Sequence, residues 1–444
     1  MFAYETLFGH HEAQWRVWFA GLSLFGAVQI DAEGEAQAQP PDATARTPWP
    51  APPFSAWIAP PGVYVRREAK MPSTPLSLLH RGDTVTVQSC QPDCNVPHAW
   101  ALLQPHGAVP VADLRMLPVS PAGMLTSANA QYIYAKIPVR TPVFARPDAH
   151  AKVIHKEKAE FRLAFAPNPE LAKTGWYQRP NGGYMREKDL KFFTPSTFVG
   201  EHELQPPFAF VRRKVKLTPP KGSAAVEPVI LQRYDRVKVL GEAKGKVLVP
   251  GGSLPRGLVR MVRFYGAPKH VPGKDKRIHV DLTEQVLTAY EGNKLVFATL
   301  VSTGKDKNHT KSGDFRIYAK TIHSSMRGKP WDDYYAEEIP HVMHFFEGQA
   351  LHGTYWHDQF GIEKSHGCVN LSFADAKWIF EWVPPELPAG WHSILPSKGD
   401  PQVWITIEKA HPARQKPGSE LAKDKQVPPV LCKVGGPAQA QCPR

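Results

Sequence analysis

The sequence predicts a mainly β protein made of several small units, with one or two short helices. Three observations support this class. Proline accounts for 45 of 444 residues, about twice the usual share of roughly 5%, and proline interrupts helix interiors. Short alternating or β-branched runs are repeatedly broken by Gly and Pro, which is typical of strands and turns. Apolar residues make up 42% and charged residues 21%, so the chain can bury several cores.

The N-terminal region resembles a secretory signal rather than part of a fold. Residues 17–30 are apolar and follow Arg16, and Ala36-Gln37-Ala38 further on has the small-x-small pattern that signal peptidases prefer. The apolar run is shorter than the ~20 residues of an ordinary spanning helix. We therefore expect residues 1–38 to be a signal peptide or an N-terminal anchor, residues 39–60 to be a Pro-rich linker, and the protein to be exported to the periplasm or cell envelope.

Five cysteines are consistent with an oxidising compartment. Cys90 and Cys94 lie in a Pro/Asn loop, and Cys432 and Cys442 lie in a Pro/Gly tail. Each pair is a candidate for a small disulfide loop in an exported protein. Cys368 is left over, and an odd thiol in such a protein is either buried and inert or reactive.

Three stretches after the linker resemble one another at a spacing of about 70 residues. The best defined contains the strand pattern Gly82-Asp83-x-Val85-x-Val87. These stretches resemble bacterial SH3-like modules, which are small β-barrels, and we place them at residues 61–120, 128–198 and 205–266. Two interpretations stay open: the modules support the next domain by packing, or they bind cell-wall glycan or peptide.

From residue 275 to 409 the pattern changes to longer strands, with a hairpin turn signal at Glu291-Gly292-Asn293-Lys294. These residues form a β-rich domain that is large enough to hold an active site. Residues 410–444 form a basic, Pro-rich tail that we expect to be flexible. The net charge of +13 suits a polyanionic partner. We find no zinc-finger spacing or RNP-type aromatic motif, so we expect no nucleic acid as partner and favour an anionic envelope.

The stretch that indicates chemistry is Ser365-His366-Gly367-Cys368-Val369-Asn370, with His352-Gly353 upstream. Ser372 and Asp375 have capping-box spacing, which predicts a helix directly after the motif. We therefore expect the helix dipole to lower the pKa of the Cys368 thiol. A nearby histidine could take the thiol proton, and the glycines allow backbone N–H groups to form an oxyanion hole. Together these groups predict acyl transfer.

The motif has two other possible interpretations. A lone cysteine is more often a small buried hydrophobe than a nucleophile, but a turn followed by a helix cap exposes it. Histidines near Cys368 could bind zinc, and His341, His344 and His357 are close in sequence. Their spacings match no known ligand pattern, so we predict neither a metal nor a cofactor.

The motif resembles the catalytic domain of L,D-transpeptidases (YkuD-type), which is a β-sandwich or barrel. The resemblance implies that Cys368 is the nucleophile, that His352 accepts and donates protons, and that the Gly353 carbonyl orients the His352 ring. It further implies supporting roles for the remaining motif residues: His366 and Ser365 at the Cys turn, the backbone N–H groups of Gly367 and Cys368 in the oxyanion hole, and Asn370 as an anchor of the turn.

The resemblance also implies a substrate, the peptide stem of peptidoglycan. Cys368 would attack the L-centre carbonyl of a tetrapeptide stem, D-Ala would leave, and an amine would resolve the thioester as a 3–3 cross-link or an attachment to an envelope protein. Two alternatives remain: a hydrolase on the same site (an L,D-carboxypeptidase or a protein-detaching amidase), and a non-catalytic cell-wall-binding protein.

Overall fold

The computed structural model describes ten segments of the chain, with short gaps between them: 48–116, 131–202, 205–220, 229–268, 270–271, 275–305, 307–328, 334–396, 399–401 and 403–409. The predicted signal segment, residues 39–47 of the predicted linker, the tail, Cys432 and Cys442 lie outside these residues. The rest of the predicted linker is described, and its residues Phe54–Ile58 form a strand instead of a linker. The described part contains 33 strands and two α-helices, which confirms a mainly β protein. None of its helices is long and apolar enough to cross a membrane.

The first unit is a seven-stranded antiparallel sheet. Its strands alternate inward and outward side chains, as Val85 and Val87 show on β4. The structure joins Cys90 and Cys94 by a disulfide. The strand order is β3-β2-β6-β5-β4-β1-β7, so the described strands form an open sheet and not the closed barrel that the sequence predicted. The strands are β1 (Phe54–Ile58), β2 (Gly62–Arg66), β3 (Pro75–His80), β4 (Thr84–Gln91), β5 (Trp100–Gln104), β6 (Ala108–Pro110) and β7 (Leu114–Met116).

The second unit divides its strands between two sheets. One has the order β10-β9-β13-β12, while β14, β8 and β11 belong to a larger sheet that continues into residues 275–409, which we call the catalytic region after the sequence prediction. A short helix, α1 (Pro169–Ala172), is capped by Asn168, whose side chain accepts from Leu171 N. The strands are β8 (Ile133–Lys136), β9 (Thr141–Phe144), β10 (Val153–Glu157), β11 (Arg162–Phe165), β12 (Trp176–Gln178), β13 (Tyr184–Arg186) and β14 (Lys191–Phe192).

The third unit consists of short strands in small sheets, and it is preceded by β15, which pairs with β26 (Lys294–Leu300) of the catalytic region. Its central sheet has the order β19-β16-β23, and β16 is buried along its whole length. In all three units a 3₁₀ turn leads into the last strand: Val111–Asp113, Glu187–Asp189 and Arg256–Leu258. The strands are β15 (Glu201–His202), β16 (Phe208–Val211), β17 (Val215–Lys216), β18 (Ile230–Leu231), β19 (Arg236–Lys238), β20 (Gly241–Ala243), β21 (Lys246–Val249), β22 (Gly252–Pro255) and β23 (Val259–Val262).

The catalytic region packs two sheets and one helix around a shared apolar core. The first sheet has the order β15-β26-β25-β24-β33-β27, and the second contains β28–β32. Helix α2 (Phe373–Trp382) begins where the capping box predicted, with Ser372 Oγ accepting from Asp375 N at 3.2 Å. The strands are β24 (Lys276–Asp281), β25 (Val286–Glu291), β26 (Lys294–Leu300), β27 (Gly313–Arg316), β28 (Ala319–Arg327), β29 (Tyr335–Phe346), β30 (Gln349–Gly353), β31 (Val369–Leu371), β32 (Ser393–Ile394) and β33 (Trp404–Glu408).

The first two units attach to this region in different ways. Trp391, from the segment before β32, lies in the apolar core of the first unit. The second unit joins by sheet continuity, because β11 runs parallel to β29 with Arg162 opposite Ala336. The catalytic region is therefore contacted by both units through the sheet that contains β28 and β29.

Candidate active site

The motif residues converge on the parallel pair β30–β31. In the register of this pair, His352 lies opposite Asn370 and Leu351 lies opposite Val369. Cys368 directly precedes β31, and Ala350 N–H hydrogen-bonds to its sulfur. The pairing of two short strands therefore brings together a cysteine and a histidine that are well separated in sequence.

His352 is a buried, neutral imidazole with one defined tautomer. Its side chain is 2% exposed, and Nδ1 lies 2.9 Å from the Gly353 carbonyl oxygen. Because a carbonyl only accepts, Nδ1 carries the proton and Nε2 has a free lone pair. Burial lowers the pKa of His352 to about 4, so the ring is neutral at pH 7 and can act as a base.

Cys368 is a partly exposed residue with a neutral thiol. Its Sγ lies 3.9 Å from the Gly348 carbonyl oxygen, which is within the reach of a weak S–H donor. Burial raises its pKa to about 11. This corrects the expectation of a thiol pKa lowered by a helix dipole: β31 separates Cys368 from α2, and the dipole acts only over the first turn.

The turn before Cys368 is stabilised by its own side chains. Ser365 is buried, and its Oγ accepts from Gly367 N at 3.1 Å and donates to the Cys368 carbonyl oxygen. Gly367 adopts φ +122°, and a Cβ there would lie 2.8 Å from Gln349 Nε2, so the turn requires glycine. The Gly367 N–H is already bonded to Ser365, which argues against its predicted role as an oxyanion donor.

The strand-like segment 301–304 runs along the other side of the same turn. Ser302 and Asn370 exchange two backbone hydrogen bonds, of 3.0 and 2.9 Å, and Gly304 bridges to Ser365. A Cβ on Gly304 would lie 2.9 Å from Gly367 Cα. Thr310 closes the arrangement, since its Oγ1 accepts from Gly304 N at 2.8 Å. The turn is thus fixed from two directions.

Asn370 and His366 lie on different sides of the site. The Asn370 side chain hydrogen-bonds to His357 Nε2 at 3.1 Å, while His366 is exposed and lies against the Tyr334 ring, with centroids 4.9 Å apart.

Burial lowers the pKa of His344 and of His357 to about 3. Within the described segments no three metal-ligating side chains cluster.

Two aromatic residues near the site were not identified from sequence. The Trp356 ring lies 5.8 Å from the His352 ring, centroid to centroid. Burial raises the pKa of Tyr318 to about 12, and the charges of Cys368 and Glu347 add to this rise, whereas the hydrogen bond with the Gly348 backbone opposes it. Trp356 follows the His-Gly-Thr-Tyr run closely and could have been found by proximity, whereas Tyr318 reaches the site from β28 and gives no sequence signal.

Known proteins resemble the catalytic region. Residues 275–414 match the family model of the L,D-transpeptidase catalytic domain, YkuD. A curated protein, the putative L,D-transpeptidase YciB of Bacillus subtilis (strain 168), is 24% identical over 132 residues, which is 25% of this chain and 63% of that protein.

Solved structures of L,D-transpeptidases also match part of the chain. One from Stackebrandtia nassauensis is 27% identical, covers 31% of this chain and 58% of its own, and has a TM-score of 0.23. The NMR structure of the catalytic domain from E. faecium L,D-transpeptidase is 23% identical, covers 31% of this chain and 99% of its own, and has a TM-score of 0.25. This chain thus spans less than two thirds of the curated relative and of the S. nassauensis chain.

Proposed function

We propose that this chain, whose residues 275–414 match the L,D-transpeptidase catalytic domain, is a peptidoglycan L,D-transpeptidase of the cell envelope. The observation that carries the proposal is the register of the β30–β31 pair. His352 on β30 lies opposite Asn370 on β31, and Cys368 is the residue directly before β31. A cysteine next to a base of fixed tautomer is the arrangement that nucleophilic acyl transfer requires.

Acylation begins from a neutral pair. His352 Nε2 takes the thiol proton as Sγ of Cys368 attacks the L-centre carbonyl of a tetrapeptide stem. The C–N bond to the terminal D-residue then breaks, and the same proton passes from His352 to the leaving amine. The Cys368 N–H is the oxyanion donor in this proposal, because the Gly367 N–H is bonded to Ser365.

Deacylation reverses these roles. An amine of a second stem or of an envelope protein attacks the thioester carbonyl and gives its proton to His352, which returns it to the sulfur as the C–S bond breaks. The high pKa of Cys368 and the low pKa of His352 keep the resting pair uncharged. We infer that substrate binding, by excluding water and supplying the carbonyl, makes the proton transfer favourable.

The test is intact-mass detection of an acyl adduct on purified full-length protein incubated with a tetrapeptide stem. The proposal predicts one adduct per chain, located on Cys368 and absent from Cys368→Ala, with loss of D-Ala. Product analysis with and without an amine acceptor separates transpeptidation from hydrolysis on the same site. An adduct that persists in Cys368→Ala, or no adduct on folded protein, contradicts the proposal.

A non-catalytic, wall-binding role makes the opposite prediction in cells. If the chain only binds the wall, Cys368→Ala complements a deletion strain fully and removal of the N-terminal units does not. If the chain is a transpeptidase, Cys368→Ala fails to complement. The export and envelope location that both roles need follow from the signal-like residues 1–38, and we propose them together with the function.

A further inference from the structure

A small cavity lies where the second unit meets the catalytic region. Its volume is about 240 Å³, and its walls come from Lys136, Arg162 and Lys191 of the second unit together with Trp356 of the catalytic region. Glu160, Phe192 and Phe193 complete the lining. The cavity is therefore shared between two parts of the fold, and neither forms it alone.

The cavity walls carry excess positive charge. Three basic side chains face one acid, Glu160, whose Oε2 lies 2.8 Å from Lys136 Nζ. Within the segments that the structure describes, Arg162 and Lys191 form no ion pair with a carboxylate. Instead the Arg162 guanidinium lies 4.8 Å from the Tyr334 ring centroid and 5.5 Å from that of Trp356. Stacking on two rings fixes the guanidinium plane while leaving its edge N–H groups free to bind.

The cavity is connected to the reacting groups through Trp356. One side of this ring faces His352, at 5.8 Å between centroids, and another faces Arg162. Trp356 therefore contacts both the His352 ring and the Arg162 side chain that lines the cavity. A ligand seated here would be part of the same peptide substrate rather than an independent effector.

We propose that this cavity is a carboxylate subsite for the peptide substrate, in which Arg162 and Lys191 bind a free carboxylate of a peptide stem at a distance from the reacting bond. The inference rests on the proposed function for the identity of the peptide, and it assigns substrate recognition to the second unit. Arg162 suits a planar carboxylate because its N–H groups can bind both oxygens. Glu160 competes for Lys136 and limits the site to a single carboxylate.

The test compares two peptides on the Cys368→Ala full-length chain, which cannot turn over. One is a synthetic tetrapeptide stem with free carboxyl groups, and the other is the same peptide with every carboxyl amidated. Titration calorimetry gives both dissociation constants. We expect the free acid to bind about tenfold more tightly, as for a charge-assisted contact in a partly exposed site, and this preference to shrink with added salt.

Side-chain variants of the Cys368→Ala chain then locate the preference. Arg162→Gln and Lys191→Gln each reduce the acid-to-amide ratio, and the double variant brings it close to one. Glu160→Gln moves the ratio in the opposite direction, because Lys136 becomes available to the ligand. Arg146→Gln and Lys156→Gln, which alter exposed residues of the same unit, leave the ratio unchanged and control for general loss of positive charge.

The outcomes distinguish this inference from the function on which it rests. If the acid and amide bind equally, if neither binds, or if the control variants reduce the ratio as much as Arg162→Gln, the carboxylate subsite is wrong even when Cys368 is acylated. If the ratio behaves as expected but the wild-type chain acquires no adduct, the subsite stands and the transpeptidase function fails. Acylation of wild-type protein by both peptides, followed by intact mass, provides the second readout.

Discussion

The first and second units attach to the catalytic region by opposite means. The first is joined through an apolar plug: Trp391 is 1% exposed within its core. Hydrogen bonds between neutral groups surround the ring, such as that from Ser77 Oγ to the Ser393 carbonyl at 2.6 Å. The second is joined through buried charge and sheet pairing. There Arg179 binds Glu157 at 2.9 Å and also binds Glu337 on β29.

The two units also differ in their distance from the candidate site. The second unit contributes Tyr134, which stacks on Tyr355 with centroids 3.9 Å apart, and Phe193 to the apolar cluster on which Cys368 packs. The first unit contacts the segment 387–395. The comparison teaches that two N-terminal units with similar stretches of sequence can differ in role: the first packs against the catalytic region away from Cys368, and the second contributes to the apolar cluster that contains Cys368.

The largest effect is expected at the apolar plug. Trp391→Ala leaves a cavity in the first unit's core, and such changes cost about 3–5 kcal/mol, so the midpoint of thermal unfolding should fall sharply. Trp49→Ala, at the partly buried edge of the same core, should cost much less. The rate of Cys368 alkylation in folded protein should stay unchanged in both. Equal losses for the two tryptophans would contradict the plug.

A somewhat smaller loss is expected at the charged junction. Arg179→Met leaves Glu337 and Glu157 without their cation. We expect the free energy of unfolding, measured with urea, to fall by about 3 kcal/mol. The matched control is Arg186→Met, because Arg186 and Asp189 are paired at 2.7 Å but partly exposed, and such pairs contribute at most about 1 kcal/mol. In contrast to the plug, this change should also alter the alkylation rate of Cys368. An equal loss of unfolding free energy in Arg179→Met and Arg186→Met would show that the burial of Arg179 does not contribute to stability.

The raised pKa of the Cys368 thiol predicts its reactivity. With the pKa of Cys368 raised to about 11, the thiolate fraction increases about tenfold per pH unit below that value. Iodoacetamide alkylation, followed by intact mass, should therefore rise about a hundredfold from pH 7 to pH 9, a change of about 2.7 kcal/mol. A plateau already reached below pH 7 would instead indicate a thiolate–imidazolium pair at rest.

The smallest effect concerns pH at the first junction. His80 and His392 lie 4.3 Å apart between ring centroids, and burial lowers the pKa of both. The unfolded chain therefore binds protons near pH 6.5 that the folded chain does not, so stability is full above that pH and falls as the pH drops below it. We expect His392→Phe to reduce the loss of stability between pH 7 and pH 5 by about 1–2 kcal/mol. The same pH slope in wild type and variant would contradict this.

The sequence was sufficient where the determinants are local. Short alternating runs predict the strands, the capping box places the start of α2 correctly at Ser372, and the Ser365–Asn370 run identifies the turn beside β30. It was insufficient where distant residues meet. The expected low pKa of the thiol was wrong because β31 intervenes before the helix. Tyr134 belongs to the same apolar cluster as Cys368, and no local sequence pattern connects the two residues.

The central claim is that Cys368 is acylated by a peptide stem. The most direct measurement is the intact mass of full-length wild type, Cys368→Ala and His352→Gln after incubation with a tetrapeptide stem, with peptide mapping of any adduct. We predict one acyl adduct on Cys368 in wild type, a strongly slowed adduct in His352→Gln and none in Cys368→Ala. Folded wild-type protein without an adduct, or an adduct that persists in Cys368→Ala, would contradict the account.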